Sequence, residues 1–407
     1  MKKLIKNNVI KFINAPEKDI LSSQTLYEAL LTALDMYESC TNENDKVFWE
    51  DESFKLANLI KNTQLPNGGF DLGYNFLFGK GLEKTYSKEA TTPEVLSVYA
   101  LYRYTETFGL EKSSFISASI ENGVNWILNN IIAIDNYYAI PYAPHTYDKV
   151  HITNGVSFAI GALAYYVKDN KKDERAVEVF NGMIEFMYDQ LESSVSGNGS
   201  YWPYFYQNGS EKEKELINDK VDNYHIAQQL KYHCVAYKLV PTAKNLEIIK
   251  LVSEYLFSKI DNNMFIPYTE NGNKKSSKID MWGYTSIIKA FIEVNHILKD
   301  EKYIILSKKI VKKVINHSWN GEYFYPILDE RFRAFDKNFY PRSDAWVLHS
   351  LAHYYKNIER DEEIYKVIFK GYTSISEVNF IGYENHTLSK RKKVFIKLLS
   401  GIKRGKK

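Results

Sequence analysis

Two segments concentrate the residue types that move protons. Val221-Asp222-Asn223-Tyr224-His225 sets a carboxylate three residues ahead of an imidazole, and His225 is suited to general acid/base work near neutral pH. Pro341-Arg342-Ser343-Asp344-Ala345-Trp346 sets a guanidinium beside a second carboxylate; Arg342 could grip a substrate carboxylate bidentately while Asp344 serves as acid or base. Glu94, directly after Pro93, is a third carboxylate of the same kind. Each also has a plain structural reading, because an acidic residue in the first turn of a helix is favoured by the helix dipole and by capping. Pro144-His145-Thr146-Tyr147-Asp148-Lys149-Val150-His151 is dense in titratable groups, and His145 and His151 join the candidate substrate contacts. Two histidines without a firm third ligand do not make a metal site, so neither metal nor cofactor is expected. Trp202, Tyr204, Tyr224, Trp282, Tyr284 and Trp346 are rings on which a sugar face could stack, although most aromatics must fill space between helices. His233, His296, His317, His349 and His353 fall within or at the ends of helices and read as structural.

These residues need elements to hold them, and the chain supplies a repeat. Helix-period segments alternate with aromatic, Gly- and Asn-rich loops every 60 to 70 residues or so. Six segments are apolar on most faces: around Leu26–Leu30, Val95–Leu101, Val156–Leu163, His225–Tyr237, Tyr284–Val294 and Trp346–Tyr355. Their partners are more sharply amphipathic, as in Ala176-Val177-Val179-Phe180-Met183-Ile184-Phe186-Met187. Ser22, Thr91 or Thr92, Asn154, Asp222, Asp280 and Ser343 are cap-type residues ahead of the six inner segments. Loops such as Asn67-Gly68-Gly69-Phe70, Asn198-Gly199-Ser200-Tyr201-Trp202-Pro203 and Asn320-Gly321-Glu322-Tyr323-Phe324-Tyr325-Pro326 follow the outer segments and read as tight turns. Six inner and six outer helices predict an all-α (α/α)6 toroid over residues 22–375, with an N-terminal extension at 1–21 and a tail at 376–407. An open solenoid of the same repeats would need larger caps than the chain has left over. Aligning the inner helices puts Tyr27, Glu94, His225, Tyr284 and Ala345 in one tier near the ring's mouth.

On this pattern the span from about 20 to 375 resembles the six-hairpin, glycosidase-like superfamily. That group includes unsaturated glucuronyl hydrolases, sugar epimerases, polysaccharide lyases and the C-terminal domain of glucuronyl C5-epimerases. Asp222-Asn223-Tyr224-His225 further resembles a signature of toroidal proteins encoded among bacterial capsule and lipopolysaccharide synthesis genes. The resemblance implies a sugar or lipid-linked glycan ligand, with acid/base chemistry on a uronic-acid unit by an epimerase, lyase or hydrolase. A non-catalytic glycan-binding or assembly factor of the same pathway is the alternative. Terpene cyclases share the ring shape but need an Asp-rich acid motif, and zinc-dependent rings need Cys and His ligands that the motifs here do not supply.

Charge and composition narrow the rest. The 407 residues carry a net charge of +3, yet residues 390–407 hold nine Lys/Arg and no acid, leaving the body at −6. An acidic body is not the basic surface of a nucleic-acid binder. Val394, Phe395, Leu398, Leu399 and Ile402 recur at helical spacing among those cations, the pattern of a peripheral contact with an anionic membrane. Two cysteines, Cys40 and Cys234, and an N-terminus without an unbroken apolar core point to a cytoplasmic protein. Tyr (32), Phe (22) and Trp (6) make up 15% of the chain, a surplus that the aromatic loops and helix faces absorb.

Overall fold

In the computed structural model each apolar segment forms a helix that is wrapped by protein on every side. The structure describes residues 22–72, 76–78, 85–87, 91–135, 137–141, 153–204, 221–271 and 274–376. The extension at 1–21, the tail at 390–407, and the candidates His145, Asp148 and His151 lie outside the described residues.

Six helical hairpins follow one another: α1 (Ser23–Ser39) with α2 (Glu43–Asn62), α3 (Thr91–Lys112) with α4 (Ser117–Asn129), and α5 (Thr153–Asp169) with α6 (Glu174–Asp189). Then come α7 (Asn223–Leu239) with α8 (Ala243–Lys259), a one-turn α9 (Met281–Tyr284) leading into α10 (Ser286–Leu298) with α11 (Lys302–Ser318), and α12 (Pro341–Asn357) with α13 (Glu362–Ser376). The first helix of each pair packs on the first helices of the pairs before and after it, and α12 closes the circle against α1. This is the (α/α)6 toroid expected from the repeat. The inner helices are buried almost end to end; in α5 all but three of its seventeen residues are buried. Close packing requires small residues at the crossings: a Cβ at Gly161 of α5 would lie 2.6 Å from Tyr232 Cδ1 of α7.

Three helix starts differ from the sequence expectation, that of α3 because Thr91 and Thr92 are already its first two residues. α5 begins at Thr153 and α12 at Pro341, so Asn154 and Ser343 sit inside the first turn. Proline explains the α12 case: its fixed φ suits the first helical position, where no N–H is needed. Asp222 does cap α7, its Oδ1 accepting the His225 backbone N–H at 3.1 Å.

The aromatic-Pro loops fasten outer helices to the starts of inner ones. Small antiparallel ladders follow the outer helices, including β3 (Ile132–Ile134) with β4 (Tyr137–Ala139) and β5 (Glu192–Ser193) with β6 (Ser200–Tyr201). The loop then gives carbonyls to its own hairpin's inner helix. Thr153 Oγ1 donates to Pro203 O at 2.9 Å, Asn223 Nδ2 to Pro267 O at 2.9 Å, Met281 N to Pro326 O at 3.0 Å, and Thr91 Oγ1 to Pro141 O. Met281 N is one of the donors that a helix start leaves without an intrahelical partner, and the other three bonds are made by side chains of the first helical residues.

The turns in these loops press on the outer helices. Gly199 has φ +70°, and a Cβ there would strike the Leu251 carbonyl oxygen and lie 2.6 Å from the Tyr255 backbone nitrogen of α8. Gly321 has φ +95° with open space around it. Gly199→Ala therefore combines left-handed strain with a backbone collision, whereas Gly321→Ala carries the strain alone, roughly 1–2 kcal/mol. Urea unfolding should show Gly199→Ala destabilised by at least about 1 kcal/mol more than Gly321→Ala; equal losses would refute the packing role of this turn.

Candidate functional site

The inner-helix starts and the loops tied to them build a wall of rings. Tyr204, held by the loop after α6, meets His225 edge-on with ring centroids 5.4 Å apart. His225 meets Trp282 at 5.6 Å, Trp282 meets Trp346 at 5.3 Å, and Trp346 meets Tyr27 of α1 at 6.2 Å. The chain of contacts thus passes through five successive elements of the ring, each ring seated at or near the start of an inner helix. Tyr268 packs on Trp282 from the loop side at 6.1 Å. The Arg342 guanidinium lies 5.7 Å from the centre of the Trp282 ring, within cation–π range.

His225 is the acid/base candidate in this arc. Its side chain is 16% exposed, and its Nδ1 lies 2.8 Å from Oδ2 of the buried Asp222. Two strands fix the pair from below. β7 (Val221–Asp222) runs antiparallel to β8 (Thr269–Asn271), with Asp222 opposite Thr269, so the base is set by a ladder rather than a loose loop. An equivalent ladder pairs β10 (Lys278–Asp280) with β11 (Ile327–Asp329) just ahead of Trp282.

The other carboxylate candidates are placed differently. Glu94 and Asp344 are both buried, and each accepts a backbone N–H from the turn after the preceding hairpin's outer helix. Phe70 N donates to Glu94 Oε2, and Phe324 N donates to Asp344 Oδ2 at 3.3 Å. They are one device used twice, tying an Asn-Gly-aromatic turn to an inner helix. Three of the expected stacking rings are likewise packing residues. Trp202 is fully buried, donates Nε1–H to Met187 O at 2.8 Å and stacks on His233. Tyr224 is fully buried and stacks on Tyr268 at 4.8 Å, filling the space that Gly283 leaves open. Tyr284 is fully buried, its hydroxyl donating to Met264 O at 2.7 Å. No surface of these three rings is left for a sugar. Of the aromatic candidates the structure gathers Trp282, Trp346 and Tyr204 around His225, with Arg342.

Below the arc lies a buried layer of charge. The Lys289 ammonium sits 5.3 Å from the Trp346 ring centre, donates to Glu28 Oε2 at 3.1 Å and lies 2.9 Å from His349 Nδ1. His349 Nδ1 also bonds Glu28 Oε2. Lys231 faces the rings of Tyr99 and Tyr232 at 5.2 and 5.0 Å. Burial alone would raise the Glu28 carboxyl, but Lys289 and His349 overcome it and hold the group at about 2. Burial, reinforced by Lys289, brings Lys231 down to about 7 and His349 to about 3. One turn further along the axis are Asp35, Glu293 and His353. Glu28 and Asp35, seven residues apart, share a face of α1; Lys289 and Glu293 share one on α10, and His349 and His353 one on α12. The available signal was a charge inside an otherwise apolar run, as Glu28 is in Leu26-Tyr27-Glu28-Ala29-Leu30.

No protein-family model matches the sequence, and no curated protein matches it. Solved structures do match in fold. A cellobiose 2-epimerase from Bacillus thermoamylovorans superposes with a TM-score of 0.61 at 12% identity, covering 83% of this chain and 89% of its own. A D-mannose isomerase gives 0.59 at 14% identity, covering 86% and 87%. A family 76 glycoside hydrolase (mannosidase) from Bacteroides thetaiotaomicron gives 0.54 at 15% identity, covering 83% and 88%. These neighbours are sugar-processing (α/α)6 toroids, and at such identities the likeness establishes the architecture of this chain.

Lys231 gives the buried layer a pH signature. Its ordinary value is 10.5 and its folded value about 7, so the unfolded chain binds the extra proton between those limits. The penalty of charging it in the fold is complete below about pH 7 and disappears as pH rises toward 10.5, so stability should climb across that window. Lys231→Met should be more stable than wild type at pH 7, with the difference shrinking by pH 10. Denaturant midpoints at the two pH values test this; a constant offset between the proteins would contradict it.

Proposed function

We propose that this chain is a carbohydrate-processing enzyme that moves a proton on an anionic sugar, with His225 as the acid/base group. The observation that carries the reading is the His225–Asp222 pair, partly open to solvent at the centre of an aromatic arc. In this reading the sugar ring lies against Tyr204 and His225, which are half-buried, with the buried Trp282 and Trp346 behind them, and Arg342 takes the substrate carboxylate. His225 removes the proton from the carbon beside that carboxylate, Asp222 steadies the imidazolium, and Arg342 offsets the charge that develops on the carboxylate oxygens. Protonation of the opposite face by a second acid or by water gives epimerisation, and expelling a leaving group at the next carbon gives a lyase product.

A glycosidase would want two carboxylates facing one another across the sugar. Glu94 and Asp344 each engage a backbone amide, which supports the imidazole reading over the two-carboxylate one. The fold neighbours named for an epimerase and an isomerase support a sugar substrate in the same way. The resemblance of Asp222-Asn223-Tyr224-His225 to capsule and lipopolysaccharide synthesis proteins supports a uronate-containing surface glycan, handled on the cytoplasmic side. The tail at 390–407 would supply a peripheral membrane contact. Among the described residues no helix is long and apolar enough to cross a membrane.

Incubation with uronate oligosaccharides and nucleotide sugars in deuterated water tests the chemistry. Mass gain at a sugar carbon is the expected result for epimerisation, and an unsaturated product with ultraviolet absorbance for elimination; chain shortening with neither would indicate a hydrolase, and binding without change a glycan-binding factor. His225→Gln should lower turnover about 10²–10⁴-fold with an unchanged circular dichroism spectrum. Arg342→Met should raise KM for uronates and leave neutral sugars unaffected. Full activity in His225→Gln would overturn the assignment.

A further inference from the structure

The layer below the arc contains a set of donors that the acid/base reading does not use. Asp35 on α1 and His349 and His353 on α12 are all buried and offer one ligand atom each, with the three atoms within 4.8 Å of one another. Asp35 Oδ2 is 3.0 Å from His353 Nδ1 and 3.9 Å from His349 Nε2. In a tetrahedral zinc site with bonds near 2.1 Å the ligand atoms are roughly 3.4 Å apart, so the spacing brackets what such an ion needs.

The outer partners are those of a metal centre. A ligating histidine commonly has its other ring nitrogen held by a carboxylate, which fixes the ring and raises its basicity. His349 meets that condition, and His353 has a carboxylate within 3.1 Å of its second nitrogen. His349 presents Nε2 to the cluster while Nδ1 bonds Glu28 Oε2, and His353 presents Nδ1 while Nε2 lies 3.1 Å from Glu293 Oε1. Asp35 is arranged the same way: Lys356 Nζ takes Oδ1 at 3.0 Å, leaving Oδ2 on the histidine side. The i, i+4 spacing of the histidines puts both on one face of α12, and Asp35 faces them across the seam where the ring closes. Lys289, Lys356 and Arg103 stand around the cluster, and Glu28, Glu293 and Glu38 accompany them as counter-charges.

The geometry points to a binding site for one divalent transition-metal ion of the zinc class, held by Asp35 Oδ2, His349 Nε2 and His353 Nδ1. A water or a neighbouring oxygen completes the shell. The ion joins the first inner helix to the last, so it staples the ring at its only seam. Its role is structural, and the inference stands whether or not His225 acts on a sugar.

The test uses the full chain, stripped with a chelator and titrated with Co²⁺ as an optical probe. One Co²⁺ per chain, visible ligand-field bands of tetrahedral intensity, and their displacement by Zn²⁺ are the expected results. Zn²⁺ should raise the melting temperature, and chelator should reverse the rise. The double variant His349→Ala/His353→Ala should lose the bands. Glu293→Gln keeps all three ligands and should weaken binding about 10–100-fold, a readout that survives if the double variant fails to fold. Absence of stoichiometric Co²⁺ binding by the wild type, or bands unchanged in a folded double variant, would overturn the proposal.

Discussion

An inner helix of a closed ring has no wet face, and the rest of this molecule follows from that constraint. Each apolar stripe is covered by two neighbouring inner helices and its own outer partner, so small residues such as Gly161 must stand where backbones cross. Any charged residue on such a helix must find its partner inside, because a lone buried ion costs several kcal/mol. Glu28, Asp35, Lys289, Glu293, His349 and His353 all do so, and nearly all of their partners lie on a different helix. A buried pair rarely adds net stability over apolar packing. What these pairs impose is register, since sliding α12 by one turn against α1 would strand His349, Glu28, Asp35 and His353 together.

Much of the ring could be read from the residues. The 3.6-residue period, the repeat length and the contrast between apolar and amphipathic partners are local properties, and the structure reproduces the six hairpins they predicted. The Asn-Gly-aromatic-Pro loops were recognised as turns, but their service to the inner helices was not, because the Pro203–Thr153 and Pro267–Asn223 bonds join residues 44 to 50 apart. Glu94 and Asp344 meet amides 24 and 20 residues away, again beyond what local sequence shows. Type and position fit catalysis and anchoring equally, and only the fold shows which amide each carboxylate meets.

Exposure was the least legible quantity. Trp202, Tyr224, Tyr284, Trp346 and Trp282 all read as rings at helix starts or loops, yet all five are buried, and the half-buried members of the arc are Tyr204 and His225. His349 and His353 show the converse. Taken alone, each is a histidine in a buried helix; their significance arises from Asp35, Glu28 and Glu293, three residues on two other helices.

The two layers divide the work of the ring's axis. The arc around His225 is aromatic, partly open at His225, and includes the His225–Asp222 imidazole–carboxylate pair. The layer beneath it is closed and internally compensated, and Lys289 joins the two, lying near the Trp346 ring while bonded to Glu28. A proton-transfer site works when its walls do not move as charge develops, because preorganised dipoles need no reorientation. Trp346 is the wall nearest the charged layer, and its helix is the one that closes the ring. Whatever fixes α12 against α1 therefore also fixes Trp346, and through the Trp282 ring the position of His225. Stability at the seam and geometry at the mouth are the same requirement, met by residues three positions apart on one helix: Trp346 above and His349 below.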